Sequence, residues 1–213
     1  GVAIHVRNSQ SDAPGTMIVA EPESRDAAVC GAALTKDEAR VSVLGVPDVP
    51  GTSFEIFSRI AGRNITVDMI AQDVGEGGKA DISFTVPKNE LTVTLEAVQD
   101  SLQALGGGSV VTDTNVAKVS VVGLGMARQT GIAEKMFRTL ADQAINIQMI
   151  TTSEIKISAL VGRDHAQQSL RAVHEAFALE TPPKPSKPDG ADPQARAANT
   201  DAADVVTRLQ GID

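Results

Sequence analysis

Most of residues 41–73 recurs at residues 119–153, and this repeat limits the folds open to the chain more than any other feature. The first copy reads VSVLGVPDVPGTSFEIFSRIAGRNITVDMIAQD and the second VSVVGLGMARQTGIAEKMFRTLADQAINIQMITTS. Gly51 aligns with Gly131 and Met69 with Met149, 80 residues on, whereas Gly45 aligns with Gly123, 78 residues on. The two-residue slip falls in the loop between a strand and a helix. A repeat that absorbs its length difference in a loop is a duplicated folding unit, and that loop is where a site is expected.

The flanking residues fill out the unit. Arg40–Val46 reads as a strand with Val41 and Val43 inward, followed by a Pro-bearing turn at Asp48–Gly51. Phe54, Phe57, Ile60 and Ala61 predict the buried face of a helix over about 52–63. Thr66–Gln72 is a strand, Gly75–Gly78 a hairpin turn, and Lys79–Val86 a strand with Ile82, Phe84 and Val86 inward, ended by Pro87. Leu91, Leu95, Val98, Leu102 and Leu105 form a helical stripe that Gly106–Gly108 stops, and Ser109–Asn115 is a last strand. The order βαββαβ is the ferredoxin-like pattern of an α+β fold.

The second unit repeats it through strand Ala117–Val122, helix Gly131–Ala144, strands Ile147–Thr152 and Glu154–Val161, and helix His165–Phe177. It then lacks its last strand, because TPPKPSKPDGADPQARAANT follows and cannot bury enough apolar surface to order itself. The short apolar run Val29–Leu34 is the natural donor, which inserts the first unit within the second. The domain organisation is thus a leading segment 1–28, a donated strand 29–34, a first domain 39–115, a second domain 116–180, and a Pro/Ala-rich tail 181–213. In the leading segment Val2, Ile4 and Val6 alternate with Ala3, His5 and Arg7, a turn follows at Asp12–Gly15, and Met17–Val19 is a short strand. A chain that opens in a strand reads as a piece of something longer. A linker at 20–28, a turn at Thr35–Glu38 and a short tail helix over Asp201–Leu209, capped by Thr200 or Asp201, complete the reading.

A net charge of −8 argues against nucleic acid and against an anionic membrane surface as partners. No run approaches the roughly 18 apolar residues of a membrane span. The single cysteine, Cys30, excludes an internal disulfide, fits a reducing cytoplasm, and reads as a small buried hydrophobe. His5, His165 and His174 are scattered over different elements, so no metal site is expected. Gly123-Leu-Gly125 lacks the third glycine of a dinucleotide fingerprint, since Arg128 stands there. Phe84 is the one strand aromatic, too few for an RNA-stacking sheet.

The strand–loop–helix junction is the candidate site. A helix start offers unpaired N–H groups and partial positive charge, which suit a carboxylate. Gly51 allows close approach to the backbone, and Asp48 can accept from an ammonium or hydroxyl, so the junction suits an amino acid. The same two residues also read as ordinary turn and capping residues.

VSVLGVPDVPG, NITVDMIAQDV, KADISFTVP, AKVSVVGLGM and INIQMITTSEIKISALV, taken in order, resemble the regulatory region of the aspartate kinase family. The resemblance covers about residues 1–180, with HVRNSQSDAPGTMIV resembling the junction with the kinase domain, which lies outside this sequence. It implies two amino-acid-binding ACT domains, the first inserted in the second, and a role in feedback control of lysine, threonine and methionine biosynthesis by threonine, lysine or both. It implies a first effector site of Asp48, Gly51, Ser53 and Gln72, completed by Asn146 and Ile147 from a partner chain. A second site would gather Met126, Gly131, Ile132, Ser153 and Glu154, facing Asp68. The chain departs from the family pattern at Asp73, Thr66, Ala144 and Ala133. No cofactor is implied here, ATP and Mg belonging to the kinase domain. The implied partners are an effector, a second copy of the chain through its ACT domains, and the kinase domain. The chain alone is expected to be catalytically inactive. An ACT pair that only dimerises the kinase, without sensing, is the alternative.

Overall fold

The computed structural model describes residues 4–10, 16–18, 28–126 and 129–180. Ile4–Val6 (β1) pairs antiparallel with Thr16–Ile18 (β2), a small sheet in a unit separate from residues 25–183. The expected turn at 12–15, most of the linker at 20–28, and the tail from residue 181 with its helix lie outside the described residues.

The first domain runs β4 (Glu38–Pro47), α1 (Thr52–Ala61), β5 (Asp68–Val74), β6 (Lys79–Pro87), α2 (Leu91–Leu105) and β7 (Ser109–Asp113). Its sheet has the order β5-β6-β4-β7 and is antiparallel throughout. Alternation sends Val41 and Val43 of β4, and Ile82, Phe84 and Val86 of β6, into a core beneath both helices. The ladder slips between Val43 and Val46, at Gly45 with φ 67°, and this bulge returns Val46 to the inner face. Asp81 secures the bulge by accepting the Gly45 N–H at 2.7 Å.

The helix α1 departs from the expected face. Thr52, Ile56 and Ile60 form its buried row, Phe57 packs edge-on to Phe84 at 5.3 Å, and Phe54 is 75% exposed. Ala61 is exposed as well. The Thr52 hydroxyl donates to Pro47 O at 2.7 Å and fixes the helix rotation. Phe54, two residues from both Thr52 and Ile56, is thereby turned to the opposite side. On α2 the fully covered positions are Thr94, Ala97, Val98 and Ser101, and the expected leucines flank them half-buried. The small residues let α2 close on α1, where the Ser101 hydroxyl reaches Glu55 O at 3.4 Å. Gly106 ends α2 in the left-handed conformation, as its position predicts.

The second domain runs β8 (Val116–Val122), α3 (Ile132–Asp142), β9 (Ile147–Thr152), β10 (Lys156–Gly162) and α4 (Ala166–Ala176). The missing strand is β3 (Gly31–Thr35), which pairs with β8 as β7 pairs with β4. The sheet order is β3-β8-β10-β9, so the first domain is spliced between β3 and β8. Val119, Val121, Met136, Leu140 and Val173 are among its core residues. A smaller cluster of Met69, Val116, Met149 and Leu160 joins the two domains.

Cys30 corrects a second expectation, because it is exposed. It sits one residue before β3, an edge strand among the described residues, and its thiol donates to Val122 O at 3.4 Å.

Candidate functional site

The first junction follows β4. The Asp48 N–H donates to Gly78 O at 2.8 Å, which ties the loop to the β5–β6 hairpin, and Thr52 N–H donates back to Val49 O at 3.2 Å. Gly51 caps α1 with φ 103°, and a side chain there would meet nothing within 4 Å, so the glycine answers to backbone conformation and leaves the helix start open. The first regular helical bond runs from Glu55 N–H to Gly51 O at 2.9 Å, so the N–H groups of Ser53 and Phe54 precede the ladder. Ser53 donates its hydroxyl to Gln72 Oε1 on the edge strand β5 at 2.9 Å. Asp48, Gly51, Ser53 and Gln72 thus gather round one helix start, with Asp48 and Gln72 exposed.

Asn146 and Ile147 stand elsewhere, at the entry to β9, at the repeat positions of Thr66 and Val67. Asn146 is exposed, and Ile147 packs partly against the second core. Among the described residues they make no hydrogen bond to the first junction.

The second junction is built alike, and a Cβ on its capping Gly131 would likewise meet nothing within 4 Å. Gly131 caps α3 with φ 86°, and Lys135 N–H donates to Gly131 O at 2.9 Å. Gly123 N–H donates to Ile155 O at 2.9 Å and joins the loop to the β9–β10 hairpin, which carries Ser153 and exposed Glu154. Ser153 N–H closes that hairpin on Lys156 O at 2.7 Å. Met126 is buried in the second core and Ile132 packs against it, so both side chains are taken up by packing. A Cβ on Gly123 would stand 2.0 Å from Ala28 O, so the glycine of the Gly-Leu-Gly stretch marks a chain crossing.

Asp68 lies where the two domains meet, and Lys156, which closes that hairpin, is among the charges acting on it. Its Oδ2 accepts from Lys118 Nζ at 2.5 Å, and the same ammonium donates to Glu38 Oε1. Lys118 and Glu38 are 8% and 7% exposed. Burial pushes the Asp68 carboxyl up, but the bonds from Lys118 and from Met69 N–H outweigh it and hold the group below the usual carboxylate range. For Lys118, burial lowers the value while Asp68 and Glu38 raise it, and the net direction is up. Sequence reasoning missed this cluster, though the one charge in the strand AKVSVV, Lys118, was its visible signal. Residues 35, 37, 38, 66, 68 and 85–87 line a cavity of about 210 Å³ beside it.

Among the described residues no group of three His, Cys, Asp or Glu side chains could hold a metal ion, and no helix is long and apolar enough to cross a membrane.

Residues 39–103 and 119–177 each match an ACT domain. The chain is 41% identical to the ligand-free regulatory subunit of aspartate kinase from Thermus thermophilus, covering 70% of this chain and 99% of that one with a TM-score of 0.67. A structure of aspartokinase alpha and beta subunits is similar at 46% identity, 71% and 99% coverage, and a TM-score of 0.67. Aspartate kinase from Pseudomonas fluorescens is 42% identical over 183 residues, and the chain spans 44% of the length of that relative.

Proposed function

The chain belongs to the aspartate kinase family, as its regulatory region of two ACT domains, and from that premise we propose that it senses end-product amino acids and controls aspartate phosphorylation by a kinase catalytic part. The observation that carries this reading is the open helix start at Gly51, ringed by Asp48, Ser53 and Gln72. The free N–H groups of α1 suit the effector carboxylate, Asp48 its ammonium, and Gln72 with Ser53 a polar side chain, which fits threonine or lysine. Asn146 and Ile147 complete the site from a second copy. Met126, Gly131, Ile132, Ser153 and Glu154 form a second site whose contacts are mainly the backbone and Glu154. Asp68, on which the hairpin's Lys156 also acts, faces that site.

Apolar side chains left exposed beside each junction support a homodimer. Val49, Phe54, Ile70 and Val74 flank the first, and Leu124, Ile150 and Ile155 the second. Ile70 and Ile150 are repeat-related and sit on the edge strands β5 and β9, whose unpaired backbone suits pairing with another copy. Control then follows if the effector prefers one arrangement of the dimer, since a ligand shifts an equilibrium only by its differential affinity. The free thiol fits a cytoplasmic setting.

Calorimetric titration of the chain with threonine and with lysine tests this. A saturable signal for one or both, lost in Asp48→Asn and Gln72→Ala while the dimer persists, is the expected result. No heat from either amino acid on a folded dimer would favour a scaffold that only dimerises the kinase.

A further inference from the structure

Lys118 occupies a position in the sheet where a charge has a large cost. It lies in β8, an inner strand, opposite Thr35 on one side and Leu160 on the other. A buried ammonium persists only when paired, and both of its partners, Glu38 and Asp68, come from the inserted domain. In the first domain the repeat places Arg40 at the equivalent position, where it meets Asp113 at 3.9 Å with both side chains partly exposed. The burial and the second carboxylate are thus peculiar to the site between the domains.

What Lys118 grips leads into the first junction. Asp68 Oδ1 accepts the Met69 N–H at 2.9 Å, and Asp68 O accepts the Thr85 hydroxyl at 3.1 Å. Met69 has φ 47°, a left-handed backbone that costs free energy in any residue but glycine, and it is 3% exposed among Val116, Met149 and Leu160 of the second domain. The ladder slips between Asp68 and Ala71 and then delivers Gln72 opposite Ile82, with its amide oxygen on Ser53. The kink is held from outside its own domain, by an ammonium before it and an apolar socket around it.

We propose that Lys118 is a positioning residue for the first effector junction: by clamping Asp68 it fixes the kinked strand that presents Gln72, and it ties occupancy of that junction to the second ACT domain. The inference deepens the effector reading and rests on it for the ligand, but the positioning can be tested without one.

The test compares backbone hydrogen exchange of the full chain with Lys118→Met and Asp68→Asn, no amino acid added. Met keeps the length of the stem without the charge. Asn retains an oxygen for the Met69 N–H while losing the ion pair, and covers the case in which Lys118→Met does not fold. Exchange about tenfold faster over Met69–Gln72, with α1 and α2 unchanged, is expected. Unchanged exchange over that strand in Asp68→Asn overturns the proposal. Where the parent chain titrates with threonine or lysine, folded Lys118→Met should bind about tenfold more weakly, a size typical of residues acting through a coupled element. Equal affinity with altered exchange would overturn the link to the site. A parent chain that binds neither amino acid would fail the effector reading alone, leaving the exchange result to decide the clamp.

Discussion

The carbonyl oxygen of Ala28 lies where a side chain on Gly123 would begin, 2.0 Å from a Cβ built there. The Val29 Cα is 2.8 Å from the same point, and Cys30 N–H donates to Val122 O at 2.8 Å, so the segment leading into β3 lies directly on the end of β8. Gly123→Ala must push backbone away from backbone. A destabilisation of about 3 kcal/mol is expected, the upper range for overpacking, read as a lower urea midpoint. An unchanged midpoint would mean that residues 28–30 yield freely.

Asn64 and Ala144 hold the same left-handed backbone, φ 58° and 56°, after α1 and α3. Each donates its N–H three residues back, to Ala61 O at 2.9 Å and Ala141 O at 2.8 Å, and the following isoleucine donates five residues back. Asparagine tolerates this conformation and alanine does not, so Ala144→Gly should stabilise the chain by about 1 kcal/mol and raise the melting temperature by about 2–4 °C. Asn64→Gly is the control and should move it far less.

The clamp predicts a pH dependence with a definite sign. Asp68 titrates below its ordinary value when folded, so its contribution is present above about pH 4 and is lost as pH falls through the lowered value. Lys118 titrates above its ordinary value, so its contribution is present below about pH 10 and is lost as pH rises through the raised value. Glu38 and Lys156 are the other charged groups near the pair. The Asp68 side chain is 46% exposed, so solvent screening keeps the effect modest. Urea midpoints of the parent chain and Asp68→Asn should differ at pH 7, and the gap should narrow progressively as the pH falls below the ordinary carboxylate range. A constant gap would assign the bond a steric role instead.

The period-two runs and the repeat carried the architecture, because Val41, Val43, Ile82, Phe84 and Val86 face their core by local alternation alone. The missing strand was legible by subtraction, one unit being short and one apolar run spare. Helix rotation was harder: α1 holds two overlapping apolar rows, and the choice between them rests on the Thr52–Pro47 bond, which joins the helix to the end of β4. Cys30 misled because burial follows neighbours in space, and among the described residues no strand pairs with the outer side of β3. At the candidate site, the loop itself pointed to Asp48 and Gly51, whereas Ser53 and Gln72 were implied only by the family resemblance, and the bond that joins those two spans a helix and a strand. The Lys118 cluster was not legible, because its three charges sit on strands that only the contact between the domains brings together.

The splice of one domain into the other has a consequence for the order of assembly. Only Lys36 and Asp37 join β3 to β4, and only Thr114 and Asn115 join β7 to β8. Arg40 and Asp113 are register partners in the first sheet, so once that domain has folded its two ends are held side by side. The long intervening chain then acts as a short tether, and the entropy of bringing β3 to β8 is largely spent beforehand. The inserted domain is thus a template for its host, and a lesion in its sheet, far from β3, would delay closure of the second domain before weakening it.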